Sequence, residues 1–587
     1  MIAEQIHIGI VGFGPKGFYG LERLLAFLNK KTEIPKIQIH LFNKTDAFAT
    51  GWVYDCNQPD FLVMNYPNQY ISLKPHTNPL PVCDLLPFTK WRAQRSKNSE
   101  EFEETQIAPR NEVGCYLTSY FEKLVANAKP QITIHKHITT VMGIKHEGSR
   151  FKLQTKDIGF QSPYFDSLLL TTGHSPSITG RLENAKKNDC TIPFVYPFSE
   201  TMKHIGAQEI VICKGIGLTA IDTILALTEG RSGYFNGSSV SGLAYCKSGL
   251  EPKLILPFSR SGIPGIPRGS NTVMLKQTSF YLKRFVENLP KSSAKFDFEK
   301  DILPVIKQDI VAAFYHSLFK RCNFNFEPDA DFKNLQKAID RFHEKNSELK
   351  RFSADDLLFS ILNTKKNQHQ AVKTYWKFWL NENKKEASPY VAAAAAWRFL
   401  AEDFKYLYRN NLLTEASKIR FQQHYFGVFN RISYGPPEIN IHKMIALMDA
   451  EILDFSFAKN PTITMHSKQL ETDAVTQKVH FQHYVDARLP RGHNKKKSEM
   501  YSNGNGLFSF ENQPDNLGEI RCTQEGNPIN IEGNSIQKIV LYGTPTEGTL
   551  FDNDTLSRKH NDTATQWAKD TVAQLQDTKM AYSYYEK

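Results

Sequence analysis

The chain has 587 residues, of which 41% are apolar and 23% charged, a balance that excludes disorder as its main state. At about 150 residues per domain, this length predicts two to four domains. The formal net charge of +11 is a small excess for the length. It suits anionic cofactors and nucleic acids alike and selects neither. Cysteines at 56, 83, 115, 190, 213, 246, 322 and 522 form no CxxC pair, which argues against a zinc ribbon or a vicinal-dithiol oxidoreductase. Reduced thiols in a cytosolic protein are the expectation. The opening MIAEQIHIGI has no basic region ahead of an apolar one, so no signal peptide is read there. No apolar run approaches the ~20 residues of a bilayer span; even the stretch 392–396 is soon interrupted by Arg398. The expected location is cytoplasmic, with no membrane partner.

Residues 6–11 (IHIGIV) are β-rich and near-continuously apolar, as suits a strand buried on both faces. A glycine turn follows, then Phe18, Leu21, Leu25 and Leu28 at helical spacing. Residues 36–42 (KIQIHLF) make a second strand, which completes a βαβ unit. The strand 166–171 ends in Thr172-Gly173. The βαβ pattern returns at 209–213 (EIVIC), with a second glycine turn, a helix carrying Leu218, Ile221 and Leu225, and a strand at 253–258. Two such units about 200 residues apart predict two nucleotide sites and not a solenoid, whose repeats are far shorter. From 276 to 425 the pattern is helical. Ser353 with Asp356 ahead of an apolar run predicts a helix start, and Trp376, Trp379 and Trp397 are read as helix–helix core. Beyond 430 loops and strands return, with a strand at 537–542 followed by GTPTEG. Arg488, Arg491, Lys495, Lys496 and Lys497 are read as a solvated loop and not a nucleic-acid site.

Gly12-Phe13-Gly14-Pro15-Lys16-Gly17 is a GxGxxG between a strand and a helix. The first glycine allows the tight turn, the second admits a pyrophosphate, and the third lets helix and strand pack closely. The helix N-terminus then offers N–H groups and a positive dipole end. A departure follows: Asn43 stands where Asp or Glu usually holds the ribose, with Asp46 nearby. An amide still serves as a hydrogen-bonding group. Gly215-Ile216-Gly217-Leu218-Thr219-Ala220 is the second turn. Ser259 and Arg260 close the later strand; a guanidinium beside a hydroxyl matches the 2′-phosphate of NADPH. No nucleophile–base arrangement or metal-ligand spacing stands out. His135 and His137, on an alternating strand, are expected to be exposed and not ligating.

Taken in order, GIVGFGPKGFYGLERLL (9–25), FATGWVYD (48–55), FLVMNYPNQYISL (61–73), APRNEVGCYL (108–117), LLLTTGH (168–174), IGLTAIDTILALTEGRSGYF (216–235), the run 245–269, RISYGPPEINIHKMIAL (431–447) and LYGTPTEGTLF (541–551) resemble the FAD–NAD(P)-binding family of two-dinucleotide flavoproteins. That family is distantly similar to class B flavin monooxygenases, including amine N-hydroxylases. The resemblance implies an α/β protein with two Rossmann-like dinucleotide-binding domains, for FAD and NADPH, and a mostly helical insertion. The expected limits are 1–205 for the first part of the FAD domain, 206–275 for the NADPH domain, 276–425 for the helical insertion as substrate or lid region, and 426–587 for a C-terminal return to the FAD domain.

By that resemblance Gly12, Gly14, Pro15 and Gly17 hold the FAD pyrophosphate, Asn43 lies by its ribose, and Thr172-Gly173 closes the domain. Met64, Asn65 and Ser72 belong to a loop leading toward the flavin ring, while Gly543, Thr544, Glu547 and Gly548 form the late turn at its pyrimidine edge. Gly215, Gly217, Leu218, Thr219, Ser259 and Arg260 contact NADPH, with Arg268 a weaker candidate. The implied reaction is hydride transfer from NADPH to FAD, then capture of O₂ as a C4a-hydroperoxide that hydroxylates a small molecule, an amine being one such substrate. A flavoprotein dehydrogenase or reductase that oxygenates nothing is the alternative, and a flavin-binding interaction protein the third reading. The sequence leaves catalytic residues, substrate identity and oligomeric state open.

Overall fold

The computed structural model describes residues 5–65, 67–95, 107–174, 190–238, 242–268, 281–289, 295–328, 331–360, 362, 367–472, 475–489, 493–494, 499–502, 506–512, 517–553, 555–558 and 561–585. The opening βαβ unit lies at the centre of a five-stranded sheet in the order 539–541, 167–170, 6–11, 37–43, 132–138, every pair parallel. Such a sheet needs cover on both faces. Helix Pro15–Asn29 buries Phe18, Leu21, Leu24, Leu25 and Leu28 on one of them. Helices Arg110–Ala126 and Thr563–Tyr585 join it, and Trp567 donates from Nε1 to Ser167 Oγ at 2.8 Å. On the other face lies the hairpin of Val141–Glu147 and Arg150–Thr155, with Phe151 and Phe165 in its core.

A second parallel sheet runs 254–258, 210–214, 483–486, 191–192. It carries the second glycine turn and reaches beyond 206–275 in both directions, since Thr191–Ile192 and His483–Asp486 complete it. Helix Glu438–Asp449 covers it, as do Val372, Trp376 and Leu380 of helix Gln368–Asn383, so part of the helical stretch serves as its core.

The remaining helices form a body of their own. Its long members are Leu303–Arg321 and Pro389–Arg409; the latter starts from the N-cap Ser388 with Pro389 in its first turn. Trp379 and Trp397 are buried as expected, and Trp397 stacks on Phe429 with centroids 4.0 Å apart. Ser353 caps Ala354–Leu358, its Oγ accepting from Asp355 N at 3.2 Å. Phe426, Phe429 and Ile432 continue the same core past residue 425, and Phe551 enters it from the far end of the chain. Among the described residues no helix is long and apolar enough to cross a membrane.

Candidate functional site

Four segments converge at the C-terminal ends of the first sheet. Gly12 has φ +85°, and a Cβ there would lie 2.7 Å from the Thr171 carbonyl oxygen and Thr172 Cα. A Cβ at Gly17 would lie 2.8 Å from the Gly12 oxygen. Gly14 faces Gly51 of the FATGW segment at 3.9 Å, measured from the same imagined Cβ. No side chain caps the helix at Gly14, and Pro15 opens it, an arrangement that leaves first-turn N–H groups for an anion. Thr172 shares a 2.8 Å hydrogen bond with the Tyr501 hydroxyl, and Gly173 takes φ +67°. Gly543, at φ +76°, would place a Cβ 3.0 Å from Lys16 Cγ, so the late turn closes on the first glycine turn. Thr544 opens a short helical turn, Thr546 Oγ1 donates to the Gly543 oxygen at 2.7 Å, and Glu547 accepts from Asn553. Gly548 is packed against the Glu519 carboxylate.

Asn43 stands at the end of its strand as expected, but its amide works within the protein. Its Oδ1 accepts from Phe13 N at 3.3 Å, and Nδ2 donates to the Thr45 and Ala47 carbonyls at 3.1 Å each. It braces the 44–47 loop against the glycine turn. Met64 is buried, its N–H bonded to the Ala108 oxygen at 2.9 Å. The Asn65 carbonyl accepts from Arg268 Nη1 at 3.0 Å, and Ser72 Oγ accepts from Lys74 N at 3.2 Å. Ile71 and Leu73 anchor this loop in the first core.

The second turn has the same plan. Gly215 takes φ +128°, with an imagined Cβ 2.9 Å from the Ala487 oxygen. Gly217 caps helix Leu218–Leu227 with no side-chain bond, and nothing lies within 4 Å of where its Cβ would be. Thr219 is buried in that helix's first turn. Phe258 pairs with Lys214, so Ser259 and Arg260 emerge beside the turn. Ser259 Oγ accepts from Gly262 N at 3.0 Å; Arg260 is exposed and donates to the Gln423 oxygen at 3.0 Å.

Two features escaped the sequence reading. Arg488 is exposed, as expected of a solvated loop, but it directly follows the second sheet: its Cγ lies 3.5 Å from the imagined Gly215 Cβ. Its guanidinium grips both oxygens of Asp486, at 2.8 and 2.7 Å. Tyr484-Val485, a β-favouring pair, is the local strand signal there. Arg491 and Lys495 to Lys497 lie outside the described residues. The other feature is a buried ion pair between the two sheets' helices. Arg110 Nη1 meets Asp222 Oδ2 at 2.7 Å, Tyr196 donates to that same oxygen at 2.8 Å, and Arg110 Nε holds the Val63 carbonyl at 3.1 Å. Burial works against the Arg110 charge, and Asp222 with Tyr196 more than restores it.

His135 and His137 are half-buried, which corrects the expectation of exposure. Parallel pairing stacks residues of neighbouring strands, so His7, His40 and His137 form a chain of 3.0 Å hydrogen bonds across the first sheet, and His135 bonds Gln38 at 2.7 Å. Burial pushes His40 down to about 3 and also lowers His7 and His137. Among the described residues no group of three or more His, Cys, Asp or Glu gathers as a metal site.

Residues 9–175 match the FAD-NAD(P)-binding family. Over 535 residues, 82% of this chain and 78% of the relative, the sequence is 25% identical to nitrosuccinic acid synthase npaA of Aspergillus oryzae. It is 23% identical to an L-aspartate N-monooxygenase (nitrosuccinate-forming) of Streptomyces cremeus, over 77% of this chain and 75% of that one. Among solved structures, OTEMO in complex with FAD and NADP aligns over 98% of this chain and 86% of its own, at TM-score 0.43 and 11% identity. Two parallel sheets, each with a glycine turn and an uncapped helix, and a family match spanning the first of them agree with one another: the protein is an oxidoreductase that binds FAD and NAD(P).

Proposed function

We propose that the protein is a monooxygenase that uses FAD, NADPH and O₂ to hydroxylate the amino nitrogen of a small acidic amino acid, L-aspartate first among the candidates. The observation that carries this reading is the similarity, over most of both chains, to two proteins named for nitrosuccinate formation. The two glycine turns supply what such a reaction needs from the chain.

In this reading the N–H groups behind Gly14 and the turns at Thr172-Gly173 and 543–548 hold FAD, which when bound passes electrons from NADPH to oxygen. The chain's own part is to bind, orient and exclude water. Gly217 leaves the start of its helix open for the coenzyme's pyrophosphate, and Arg260, with Ser259, is placed for the 2′-phosphate. Asn43 serves by fixing the 44–47 loop against Phe13, where its bonded amide lies. The ion pair Arg110–Asp222 ties the coenzyme helix to the Val63 carbonyl, next to Met64, so the nicotinamide side keeps its register with the flavin loop. The aromatic helical body gives the site a dry flank, which favours oxygenation over loss of the oxygen as peroxide. None of the eight cysteines forms a disulfide, which supports a reducing, cytoplasmic setting.

The test is the fate of oxygen. With FAD-loaded protein, NADPH and L-aspartate in air, the expected result is an N-oxygenated amino acid formed in step with NADPH use. Peroxide matching NADPH use, with aspartate unchanged, would sink the hydroxylase reading. NADPH use without oxygen uptake would make it a reductase.

A further inference from the structure

Two arginines near enough to feel each other's charge lie beside the 64–72 loop. Arg268 follows the segment 263–267; its Nη1 donates to the Asn65 carbonyl at 3.0 Å and its backbone N–H to the Pro436 oxygen at 2.7 Å. Arg398, on helix Pro389–Arg409, donates from Nη1 to the Ser433 carbonyl at 2.7 Å. Both therefore close on the turn 433–437, which the segment 263–267 can approach because residue 435 is glycine: a Cβ there would run into the Ile266 oxygen.

Arg398 is half-buried and bonds no carboxylate among the described residues. The acids whose charges reach Tyr434 in this turn, Asp552 and Glu402, are both engaged by Lys405, at 2.8 and 3.2 Å. Burial, and then the charge of Arg268, push Arg398 down to about 9. Like charges brought together out of water are costly until an anion joins them, and a guanidinium fork matches a carboxylate bidentately.

We propose that Arg398, with Arg268, is the seat of a carboxylate of the substrate, so that the protein selects amines that carry an acidic group and holds that group beside the Asn65 loop. The inference rests on the hydroxylase reading above. A coenzyme phosphate has the same chemistry, but the open helix start at Gly217 already provides for it.

The test uses Arg398→Gln and Arg398→Lys holoenzymes whose flavin content and melting temperature match wild type. Succinate, which has the carboxylates and no amine, is titrated into oxidised enzyme and followed by the flavin absorbance. Flavin reduction by NADPH is measured without substrate, and KM for L-aspartate at turnover. Arg398→Gln should weaken succinate and raise the aspartate KM by about 10–100-fold, the scale of a lost charged hydrogen bond. NADPH reduction should stay within about twofold, and Arg398→Lys should recover part of the loss. In wild type, succinamide should fail to compete with succinate, an arm that holds even where the variants lose flavin.

Unchanged succinate binding in Arg398→Gln, or succinamide competing as well as succinate, overturns the proposal. A selective loss of NADPH does so too, by moving the pair to a coenzyme phosphate. Hydroxylation of an amine without any acid group would overturn this inference and spare the hydroxylase reading. Arg398-dependent succinate binding without hydroxylation would do the reverse.

Discussion

The two glycine turns follow one pattern, yet the protein closes on them differently. At the first, imagined Cβ atoms on Gly12 and Gly17 meet backbone at 2.7 and 2.8 Å, and the Thr171, Gly51 and Gly543 segments pack around it. The second is pinned at Gly215 by the Ala487 oxygen at 2.9 Å, but Gly217 faces open space. A turn walled in by three other segments suits a cofactor that stays; one with an open helix start suits a coenzyme that comes and goes. The ion pair Arg110–Asp222 lies between them and belongs to neither turn alone.

The sharpest way to break this contrast is Gly12→Ala. A side chain at φ +85° costs about 1–3 kcal/mol in backbone strain, and the contact with Thr171 and Thr172 about 1–3 more. FAD content and melting temperature should both collapse; an FAD-replete variant would show the first turn to be as open as the second. Arg110→Leu leaves the Asp222 carboxylate, only 3% exposed, without its cation and held by Tyr196 alone, which costs about 3–5 kcal/mol. It should lower the melting temperature and slow flavin reduction by NADPH, with FAD retained once folded; unchanged reduction would remove its role in aligning the two halves. Arg260→Ala should weaken NADPH by roughly 10–100-fold, for about 1.5–3 kcal/mol, and leave NADH unmoved. Equal loss of both would move the 2′-phosphate elsewhere.

Acid should separate the two sheets as well. The fold holds the His7–His40–His137 chain uncharged, with folded values below 6.5 and His40 at about 3. The unfolded chain therefore binds more protons below about pH 6.5. This stability is complete above that value and is lost as pH falls toward 3. Asp166 and Asp157 oppose the shifts of His7 and His137, whereas His135 and Arg150 reinforce them. His40→Gln should flatten the pH dependence of the melting temperature between 6 and 4, and an unchanged slope would put the acid sensitivity elsewhere. Smallest of all is Gly217→Ala, which meets no atom. Its melting temperature should stay within about 2 °C, because substitutions free of buried contacts change stability little, while NADPH affinity reports whether a ligand passes close to that backbone.

The parts legible in the sequence were those whose signal is local. The strands at 6–11, 37–43 and 210–214, both glycine turns and the Ser353 cap each announce themselves within a few residues. What escaped depends on partners far along the chain. His483–Asp486 reads as a strand fragment, and nothing near it says that it pairs with residues 210–214, some 270 positions earlier. Arg488 looked like part of a basic loop because Arg491 and Lys495 to Lys497 follow it, yet Asp486 fixes it at the second turn. Alternation along 132–138 argued for exposure of His137, but it could not show Phe160 packing edge-on at 4.9 Å from the next layer. Arg110 and Asp222 sit in unrelated helices whose meeting is set by how the two sheets dock.

Phe551 lies three residues past Gly548 and inserts its ring among Tyr408, Phe404, Phe421 and Phe426, at centroid distances of 5.7, 5.5, 5.5 and 5.4 Å. The order of synthesis is therefore not the order of completion. When the first strand leaves the ribosome, its sheet still waits for residues 539–541, and the helical core waits for Phe551. At translation speeds of about 5–20 residues per second, the nascent chain carries unfinished apolar surfaces for roughly half a minute to two minutes. This places the burden of productive folding on whatever shields the chain during synthesis, and a product cut short before residue 539 would leave the first sheet and the helical core open together.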